Sequence, residues 1–303
     1  MSTKPALNTL CRPCSLLLLV ALGLTSACGS PSAPPVAALK VDLRDRQLPY
    51  PEWRTVSLSW TPAADLPAGS APVCFVHLRS IDGKVVRTFD HTLPDGWQVG
   101  QPLRYDIQLY QSALAPALAP GEYQLLVGLY DAASGGRWPL AVEGADETGR
   151  RAYRVGSLEV PQSTPDAPRF TFSEEWQAPE EGQDSQVLAR RWLTRHATLQ
   201  VSDLDVPGSL WLRLHLPPPQ DPQADLVLDA PDQAPALTIS SSCSDATHSL
   251  EPTGIHQLVL PVYAAPGSTG CQIELTANYA VRLPDGELRS AAMEVLSWTS
   301  AQL

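Results

Sequence analysis

The stretch Leu210-Trp-Leu-Arg-Leu-His-Leu216 has a leucine at every second position. Because successive side chains of a β-strand point to opposite faces, this period of two predicts a strand with one face in a core. Comparable runs recur along the chain between clusters of Pro, Gly, Asp and Ser, and 30 of the 303 residues are proline. That arrangement is typical of stacked antiparallel strands, so the sequence predicts an all-β protein.

The first half of the chain contains enough such runs for one sandwich of immunoglobulin-like size. The glycine of Asp82-Gly83 suits a tight turn, so this pair predicts a hairpin between two of the runs. The predicted strands are Leu39–Leu43, Arg54–Thr61, Val73–Arg79, Val85–Asp90, Leu103–Tyr110, Tyr123–Tyr130 and Arg154–Val160.

A second series of runs follows a proline-rich linker, and Pro284-Asp285-Gly286 adds a hairpin turn to it. We therefore predict two tandem β-sandwiches, immunoglobulin-like or jelly-roll-like, over residues 39–161 and 170–303, joined by a linker over 162–169. The strands predicted in the second series are Phe170–Phe172, Ala197–Val201, Leu210–Leu216, Leu226–Leu228, Leu237–Ser241, Gln257–Val262, Ile273–Val281 and Met293–Trp298.

The first 27 residues have the pattern of an export signal. Lys4 and Arg12 precede the uncharged apolar stretch 15–24, which is too short for a comfortable membrane span. The following Thr25-Ser-Ala-Cys28 resembles the lipobox of bacterial lipoproteins. That resemblance implies cleavage after residue 27 and attachment of a lipid to Cys28, while an ordinary secretory leader cut near Ala27 is the alternative.

Residues 28–38 are rich in small residues and proline, which predicts an extended tether between lipid and folded body. Gly29 stands where the inner-membrane retention signal of enterobacterial lipoproteins has Asp, which favours an outer-membrane location, on either its periplasmic or its surface side. The formal net charge of −11 argues against nucleic acid as a partner, because a negative field repels phosphate. The predicted attachment to the membrane is through the lipid alone.

Three cysteines remain beyond residue 28. Cys243 and Cys271 lie in polar, turn-like contexts of one predicted sandwich, and an exported compartment permits disulfides. We therefore predict a Cys243–Cys271 disulfide. Cys74 follows Val73 in an apolar run and is expected to be a small buried core residue.

A resemblance to known modules rests on a series of turn and strand residues between positions 56 and 160. The series includes Val56-Ser-Leu-Ser-Trp60, Asp82-Gly83 and Pro120-Gly-Glu-Tyr-Gln-Leu-Leu-Val-Gly-Leu-Tyr-Asp131. It resembles the β-sandwich modules that accompany bacterial membrane glycosyltransferases. A weaker resemblance to a second such module covers residues 170–216. The resemblance implies a sandwich fold and an envelope setting, and it brings no catalytic residue with it.

The sequence shows no arrangement that would support catalysis. No Gly-x-Ser-x-Gly occurs, no Cys-x-x-Cys or His-x-x-x-His follows residue 28, and the six histidines are scattered. His77 and His215 alternate with apolar residues on predicted strands and are interpreted as structural. The acidic residues between 174 and 181 have no positioned partner and are interpreted as a solvated loop. We predict no cofactor and no metal site.

Aromatic residues in loops are the remaining candidates for binding. Trp97 follows Asp95, and Trp138 follows Arg137, both in Gly- and Pro-rich contexts where an indole could stack on a sugar. The alternative is that these rings plug the ends of the sandwich. Trp176 and Trp192 have the same two interpretations. Three further tryptophans lie within predicted strands and are expected to be core residues: Trp60, Trp211 and Trp298.

Three functional hypotheses follow from these observations. The first is a noncatalytic envelope lipoprotein that binds carbohydrate or another envelope protein. The second is a structural or assembly component of an envelope or secretion machine, docked through exposed β-edges. The third, a glycan-active enzyme, requires that folding bring acidic residues together in a cleft about 5–10 Å apart.

Overall fold

A computed structural model describes residues 33–162, 167–182, 187–217, 226–230, 232–264, 267–282 and 286–300. The predicted signal peptide and Cys28 lie outside these residues. Every regular element among them is a β-strand, and the sheets pack face to face as sandwiches. The predicted all-β fold class is therefore confirmed. None of the described residues forms a helix that could cross a membrane.

The first half of the chain forms one pair of sheets. Its strands are β1 (Ala37–Asp42), β2 (Trp53–Pro62), β3 (Pro72–Arg79), β4 (Val85–Thr88), β5 (His91–Thr92), β6 (Leu103–Tyr110), β7 (Gly121–Asp131), β8 (Arg137–Trp138), β9 (Leu140–Val142), β10 (Asp146–Glu147) and β11 (Tyr153–Val160). One sheet has the order β6-β2-β1-β9, and the other has the order β10-β11-β7-β3-β4 with β5 on β3 and β8 on β7. β3 and β4 pair as the antiparallel hairpin predicted from Asp82-Gly83.

Alternating apolar residues of both sheets fill the first sandwich. On β2, Val56, Leu58 and Trp60 are completely buried while the residues between them are more exposed. Cys74 of β3 is also completely buried and is a free thiol, as predicted. Burial raises the pKa of this thiol, so it is a packing residue and not a reactive one.

The second half of the chain forms a second pair of sheets and a small third sheet. Its strands are β12 (Arg169–Phe172), β13 (Glu180–Glu181), β14 (Ala189–Leu193), β15 (His196–Ser202), β16 (Gly208–Leu216), β17 (Leu226–Leu228), β18 (Leu237–Ser241), β19 (Ser244–Leu250), β20 (Gly254–Val262), β21 (Cys271–Ala277), β22 (Tyr279–Arg282), β23 (Leu288–Arg289) and β24 (Ala291–Ser300). The sheet orders are β12-β15-β21-β18-β19, β13-β14-β24-β16-β20 and β17-β22-β23.

One strand prediction in this half was wrong. The run predicted as Ile273–Val281 is two strands in different sheets, separated at Asn278. The Asn278 side chain accepts a hydrogen bond from the Ala236 N–H at 2.7 Å and donates one to the Ala234 carbonyl at 2.9 Å. An asparagine that bonds backbone groups in this way competes with the strand ladder, which explains the break.

The two sandwiches contact each other through β24 and the segments that flank the first core. Ser297 Oγ lies 2.9 Å from the Pro51 carbonyl oxygen and 3.0 Å from that of Gln111. The Trp298 N–H donates to Pro51 at 2.9 Å, and the Ala113 N–H donates to the Leu296 carbonyl at 2.7 Å. These bonds satisfy buried polar groups on both sides, so the described residues from Pro34 onward form one compact unit.

Candidate functional site

Trp97 and Trp138 lie at the same end of the first sandwich. The Trp97 Nε1–H donates to the Ala64 carbonyl at 3.2 Å. The Ala64 N–H in turn donates to the Val36 carbonyl at 3.1 Å, and the Val36 N–H donates to Pro139, the neighbour of Trp138, at 2.9 Å. Folding therefore brings Trp97, which lies in a loop, and Trp138, which lies on the short strand β8 and not in a loop as predicted, to one edge of the body, although they are 41 positions apart in sequence.

Both of these rings also pack against the first core. Each is half-buried, and the Trp97 ring centroid lies 5.9 Å from that of the fully buried Trp60. The interpretation in which these rings plug the end of the sandwich predicts such a contact with the core. A ligand-binding role for Trp97 and Trp138 stays a prediction.

The polar neighbours of Trp97 and Trp138 differ in how far contacts within the protein engage them. Asp95 is exposed. The Arg137 guanidinium lies 4.4 Å from the centroid of the Phe75 ring and donates to the Arg150 carbonyl at 3.0 Å. Arg137 is thus engaged by the sandwich itself, and a ligand would have to share these contacts.

Trp176 and Trp192 are interior residues. They are 5% and 3% exposed, so neither ring offers a face on which a sugar could stack. The Trp176 Nε1–H donates to the Thr198 carbonyl at 2.9 Å, and the Trp192 Nε1–H donates to the Glu180 carboxylate. Their burial corrects the expectation that they form part of a ligand surface, because each indole N–H is already satisfied inside the protein.

The predicted disulfide is present. Cys243 and Cys271 are bonded, and their Cα atoms are 5.4 Å apart. The bond joins the turn after β18 to the start of β21, which are neighbours in one sheet of the second sandwich. It therefore closes a loop within the second sandwich and leaves the first without a covalent crosslink among the described residues.

A cleft of about 260 Å³ opens between the two sandwiches. The first sandwich contributes β6 and the loop around β5, and the second contributes the outer faces of β16 and β20. Apolar aromatic rings lie there beside polar and charged groups, namely carboxylate, amide and guanidinium groups. The polar and aromatic residues that line it include His91, Tyr105, Asp106, Gln108, Trp211, Arg213 and Gln257.

Aromatic side chains form the base of this cleft. Trp211 is 5% exposed, and its ring centroid lies 4.9 Å from that of Tyr110 in an edge-to-face contact. Trp53 adds a second contact at 6.5 Å. Trp211 belongs to the second sandwich by sequence yet packs into the hydrophobic cluster of the first. These ring contacts join the two sandwiches. The polar groups that line the cleft remain accessible to a ligand.

His91 and Tyr105 form a fixed pair on the cleft wall. His91 Nδ1 lies 3.0 Å from the Phe89 carbonyl oxygen and therefore carries the proton, while Nε2 lies 2.8 Å from the Tyr105 hydroxyl and accepts its hydrogen bond. Burial lowers the pKa of His91, and burial also raises the pKa of Tyr105. Both groups are thus held neutral, as suits a hydrogen-bonding wall for an uncharged ligand.

Arg213 is oriented across the floor of the cleft by a buried carboxylate. Its Nε lies 3.3 Å from Glu294 Oε2, and His215 Nδ1 lies 3.6 Å from the other oxygen of the same carboxylate. The Arg213 and Glu294 side chains are 14% and 7% exposed. A guanidinium held in this way keeps a fixed direction, which suits recognition of hydroxyl or carboxylate oxygens.

Two carboxylates also line the cleft. Asp106 is exposed and accepts a hydrogen bond from Ser57 Oγ at 2.6 Å. Asp90 lies 3.0 Å from His77 Nε2. His77, interpreted from the sequence as structural, therefore orients an acidic group at the edge of the cleft.

Sequence reasoning did not find this cleft. Trp211 is buried, as predicted, but the alternation of Leu210–Leu216 does not indicate what covers the Trp211-Arg213-His215 face. The mixed character of that face, with Trp, Arg and His at alternate positions, is the signal that could have indicated a second contact surface.

Two other features bear on the choice of site. A larger groove of about 510 Å³ runs beside the linker, but its lining is mainly apolar and adjoins residues 163–166, which are outside the described residues. In the part of the chain that the structure describes, no three His, Cys, Asp or Glu side chains are grouped to hold a metal ion. The cleft between the sandwiches combines aromatic rings with polar groups from both halves of the chain, which is the mixed lining typical of ligand sites.

Comparisons with known proteins do not assign the chain to a family. No protein-family model matches it, and no curated protein does. Among solved structures, a β-glucosidase from Listeria innocua in complex with glucose is 17% identical over 43% of this chain and 16% of that chain, with a TM-score of 0.27.

Two further solved structures match over most of the chain. The Cry4Aa toxin of Bacillus thuringiensis is 7% identical over 89% of this chain and 53% of its own, with a TM-score of 0.27. The alpha-2-macroglobulin of E. coli is 12% identical over 88% of this chain and 14% of its own, with a TM-score of 0.26. The chain thus spans about half or less of each of these proteins, and similarity at these TM-scores carries no argument about function.

Proposed function

We propose that this protein is a noncatalytic lipoprotein of the bacterial cell envelope that binds carbohydrate in the cleft between its two sandwiches. The observation that carries the proposal is the meeting of Tyr105, Asp106 and Gln108 from one sandwich with Arg213 and Gln257 from the other in one cleft. Sugars present hydroxyl groups in several directions, and fixed amide, carboxylate and guanidinium groups bond them in pairs.

The size and the charge of the cleft support a sugar over other ligands. A cleft of about 260 Å³ is at the lower end of ligand sites, which suits one sugar unit at the end of a longer glycan. The carboxylates of Asp90 and Asp106 outnumber the single guanidinium of Arg213, so a strongly anionic ligand is disfavoured. The neutral His91 and Tyr105 add hydrogen-bonding capacity without charge.

The experiment is a binding screen of the mature chain against an array of bacterial surface glycans, followed by titration calorimetry of the best glycan. Asp106→Ala and Gln257→Ala remove cleft groups that are exposed and outside the cores. Asp106→Ala should weaken binding about tenfold or more, since a hydrogen bond to a charged group contributes about 1.5–3 kcal/mol. Gln257→Ala should weaken it about two- to tenfold, since a hydrogen bond between neutral groups contributes about 0.5–1.5 kcal/mol.

Matched control variants lie elsewhere on the surface. Gln272→Ala changes an exposed glutamine of β21, and Asp95→Ala changes the aspartate beside Trp97. Binding that is insensitive to Asp106 and Gln257 but lost with Asp95→Ala would move the site to the edge where Trp97 lies. Absence of binding to every glycan on the array would remove the proposal.

A second candidate function is glycan hydrolysis, favoured by the presence of Asp90 and Asp106 in one cleft. Glycosidases use a pair of carboxyl groups on either side of the scissile bond. Incubation of the protein with the bound glycan and measurement of new reducing ends separates the two functions. Hydrolysis that disappears in both Asp90→Asn and Asp106→Asn would establish the enzyme, whereas binding without new reducing ends supports the noncatalytic module.

The envelope setting is proposed from the sequence of the leader alone. Cys28→Ser removes the thiol that would carry the lipid, so the variant should leave the membrane fraction and enter the soluble one. The measurement is fractionation with a carbonate wash, together with incorporation of labelled lipid. A variant that stays in the washed membrane, with a wild type that takes up no lipid, would contradict the lipoprotein assignment.

A further inference from the structure

The strand β20 forms an open edge of the second sandwich. It is the last strand in the order β13-β14-β24-β16-β20 and pairs with β16 on one side. Among the described residues no strand pairs with its other side. An edge of this kind presents unpaired N–H and C=O groups in a row, which is a template for another strand.

The outer face of this edge strand carries two exposed apolar side chains, one on either side of Gln257. Ile255 and Val259 are each 53% exposed, and Tyr263 just beyond the strand is 48% exposed. The spacing of four residues places the first two side chains on the same face of the strand. Both side chains lie on a strand that has no neighbour on one side among the described residues, so a partner strand would cover part of each of them.

The charged side chains that commonly protect an edge strand are absent here. Between Gly254 and Tyr263 the sequence has no Asp, Glu, Lys or Arg. Natural edge strands commonly carry charges, because a charge on the edge prevents pairing with another chain. Pro261 lacks an N–H and so limits pairing to the part of β20 that precedes it.

The chemistry of the strand is self-complementary. When two β20 strands run antiparallel about Gln257, Ile255 of each copy lies opposite Val259 of the other, and the two Gln257 amides face each other. Apolar residues then meet apolar residues and no like charges are opposed. The chain as a whole has a net charge of −11, so two copies repel over most approaches, and this uncharged strand is where they can meet.

We propose that two copies of this chain associate through antiparallel pairing of their β20 strands. The contact is a twofold one in which the same patch serves both copies. It joins two five-stranded sheets into one continuous sheet and covers Ile255 and Val259 of each copy. The outer faces of β16 and β20, which contribute to the cleft, lie on one side of that sheet in both copies.

The test measures the mass of the mature chain in solution. Cys28→Ser is included throughout so that no lipid contributes to association, and light scattering after size-exclusion chromatography is run over a wide range of concentrations. We expect the dimer for the parent chain and a dissociation constant at least about tenfold higher for Val259→Lys, because two added charges face the apolar contact. A parent chain that is monomeric at every concentration overturns the proposal.

Two further variants make the result specific to the strand. Ile81→Lys introduces the same charge at an 85% exposed residue of the first sandwich and should leave the dimer intact. Gln257→Cys should form a disulfide between copies under oxidation, because a residue on the twofold axis lies opposite itself at a distance that suits a disulfide. Gln272→Cys, on another sheet, should not.

These variants also show whether the dimer forms through β20 or through another surface. A dimer that persists in Val259→Lys, with no crosslink at position 257, places the association elsewhere and overturns the proposal. If Val259→Lys fails to fold, as judged by its circular dichroism, the crosslink at position 257 decides alone. The glycan titration tests the cleft through Asp106→Ala, and Asp106 lies on β6, away from the proposed dimer contact, so failure of this inference and failure of the proposed function are separate results.

Discussion

Trp60 and Trp211 both lie on strands in which apolar residues alternate with other residues, but their side chains pack in different environments. Trp60 is completely buried and fills the sandwich to which its own strand belongs. Trp211 is 5% exposed, lies on the outer face of β16, and packs against Tyr110 of the other sandwich. The difference shows that alternation separates the two faces of a strand and leaves open what covers the second face.

The largest expected effect concerns the interior of the first sandwich. Trp60→Ala should lower the free energy of unfolding by about 3–5 kcal/mol, because it removes a large, fully buried side chain. Trp97→Ala should cost less, about 1–2 kcal/mol, since that ring is half-buried. Chemical denaturation of both variants measures the difference. Equal losses would make Trp97 a core residue and would remove Trp97 and Trp138 as a binding surface.

The next effect concerns the crosslink of the second sandwich. Replacement of both Cys243 and Cys271 by Ala should lower the free energy of unfolding by about 3–4 kcal/mol for a sequence separation of 28 residues. Because hydrogen bonds join the sandwiches at Ser297, the whole described body should still unfold in one transition. Two separated calorimetric transitions would show that the contact between the sandwiches is weaker than either interior.

A smaller effect tests that contact directly. Ser297→Ala leaves the Gln111 carbonyl without its buried donor, while the Pro51 carbonyl keeps the Trp298 N–H, and the loss should cost about 1–3 kcal/mol. Ser249→Ala, at an exposed position of β19, is the matched control and should cost little. The measurement is thermal unfolding of both variants, and equal melting temperatures for the two would mean that water replaces the lost donor.

The smallest effect is a pH dependence in the cleft. Burial lowers the pKa of His91 below its ordinary value of 6.5 in the folded protein. The neutral ring therefore contributes stability above pH 6.5, and this contribution is lost as the pH falls through the lower folded pKa. His91→Gln should reduce the fall in melting temperature between about pH 7.5 and about pH 5. If the fall in melting temperature is unchanged in His91→Gln, other titratable groups determine the pH dependence between about pH 7.5 and about pH 5.

The sequence predicted the long strands well because their apolar residues alternate over five or more positions. It missed short strands such as Arg137–Trp138 and Leu288–Arg289, since two residues cannot show a period. It also missed Ser244–Leu250, whose residues are nearly all polar and which is held by pairing with β18. Pairing partners far apart in sequence decide these elements, and no local pattern reports them.

The candidate site was harder to predict than the fold. Trp176 and Trp192 are buried because Thr198 and Glu180, from neighbouring segments, satisfy their indole N–H groups. The cleft needs Asp106 of one sandwich beside Arg213 of the other, which are more than a hundred positions apart. Composition around each residue cannot indicate such a meeting, whereas the Cys243–Cys271 pair could be predicted because few cysteines remained to choose from.

The contact through Ser297 has a consequence for how this architecture can be inherited. Sandwich domains joined by a flexible linker can be exchanged as independent cassettes. Here the Ser297 hydroxyl and the Trp298 N–H of one sandwich bond backbone carbonyls of the other, and Trp211 lies in the neighbour's hydrophobic cluster. A recombination event that separated the halves would expose these groups. The two sandwiches should therefore pass through evolution as a pair and in this order.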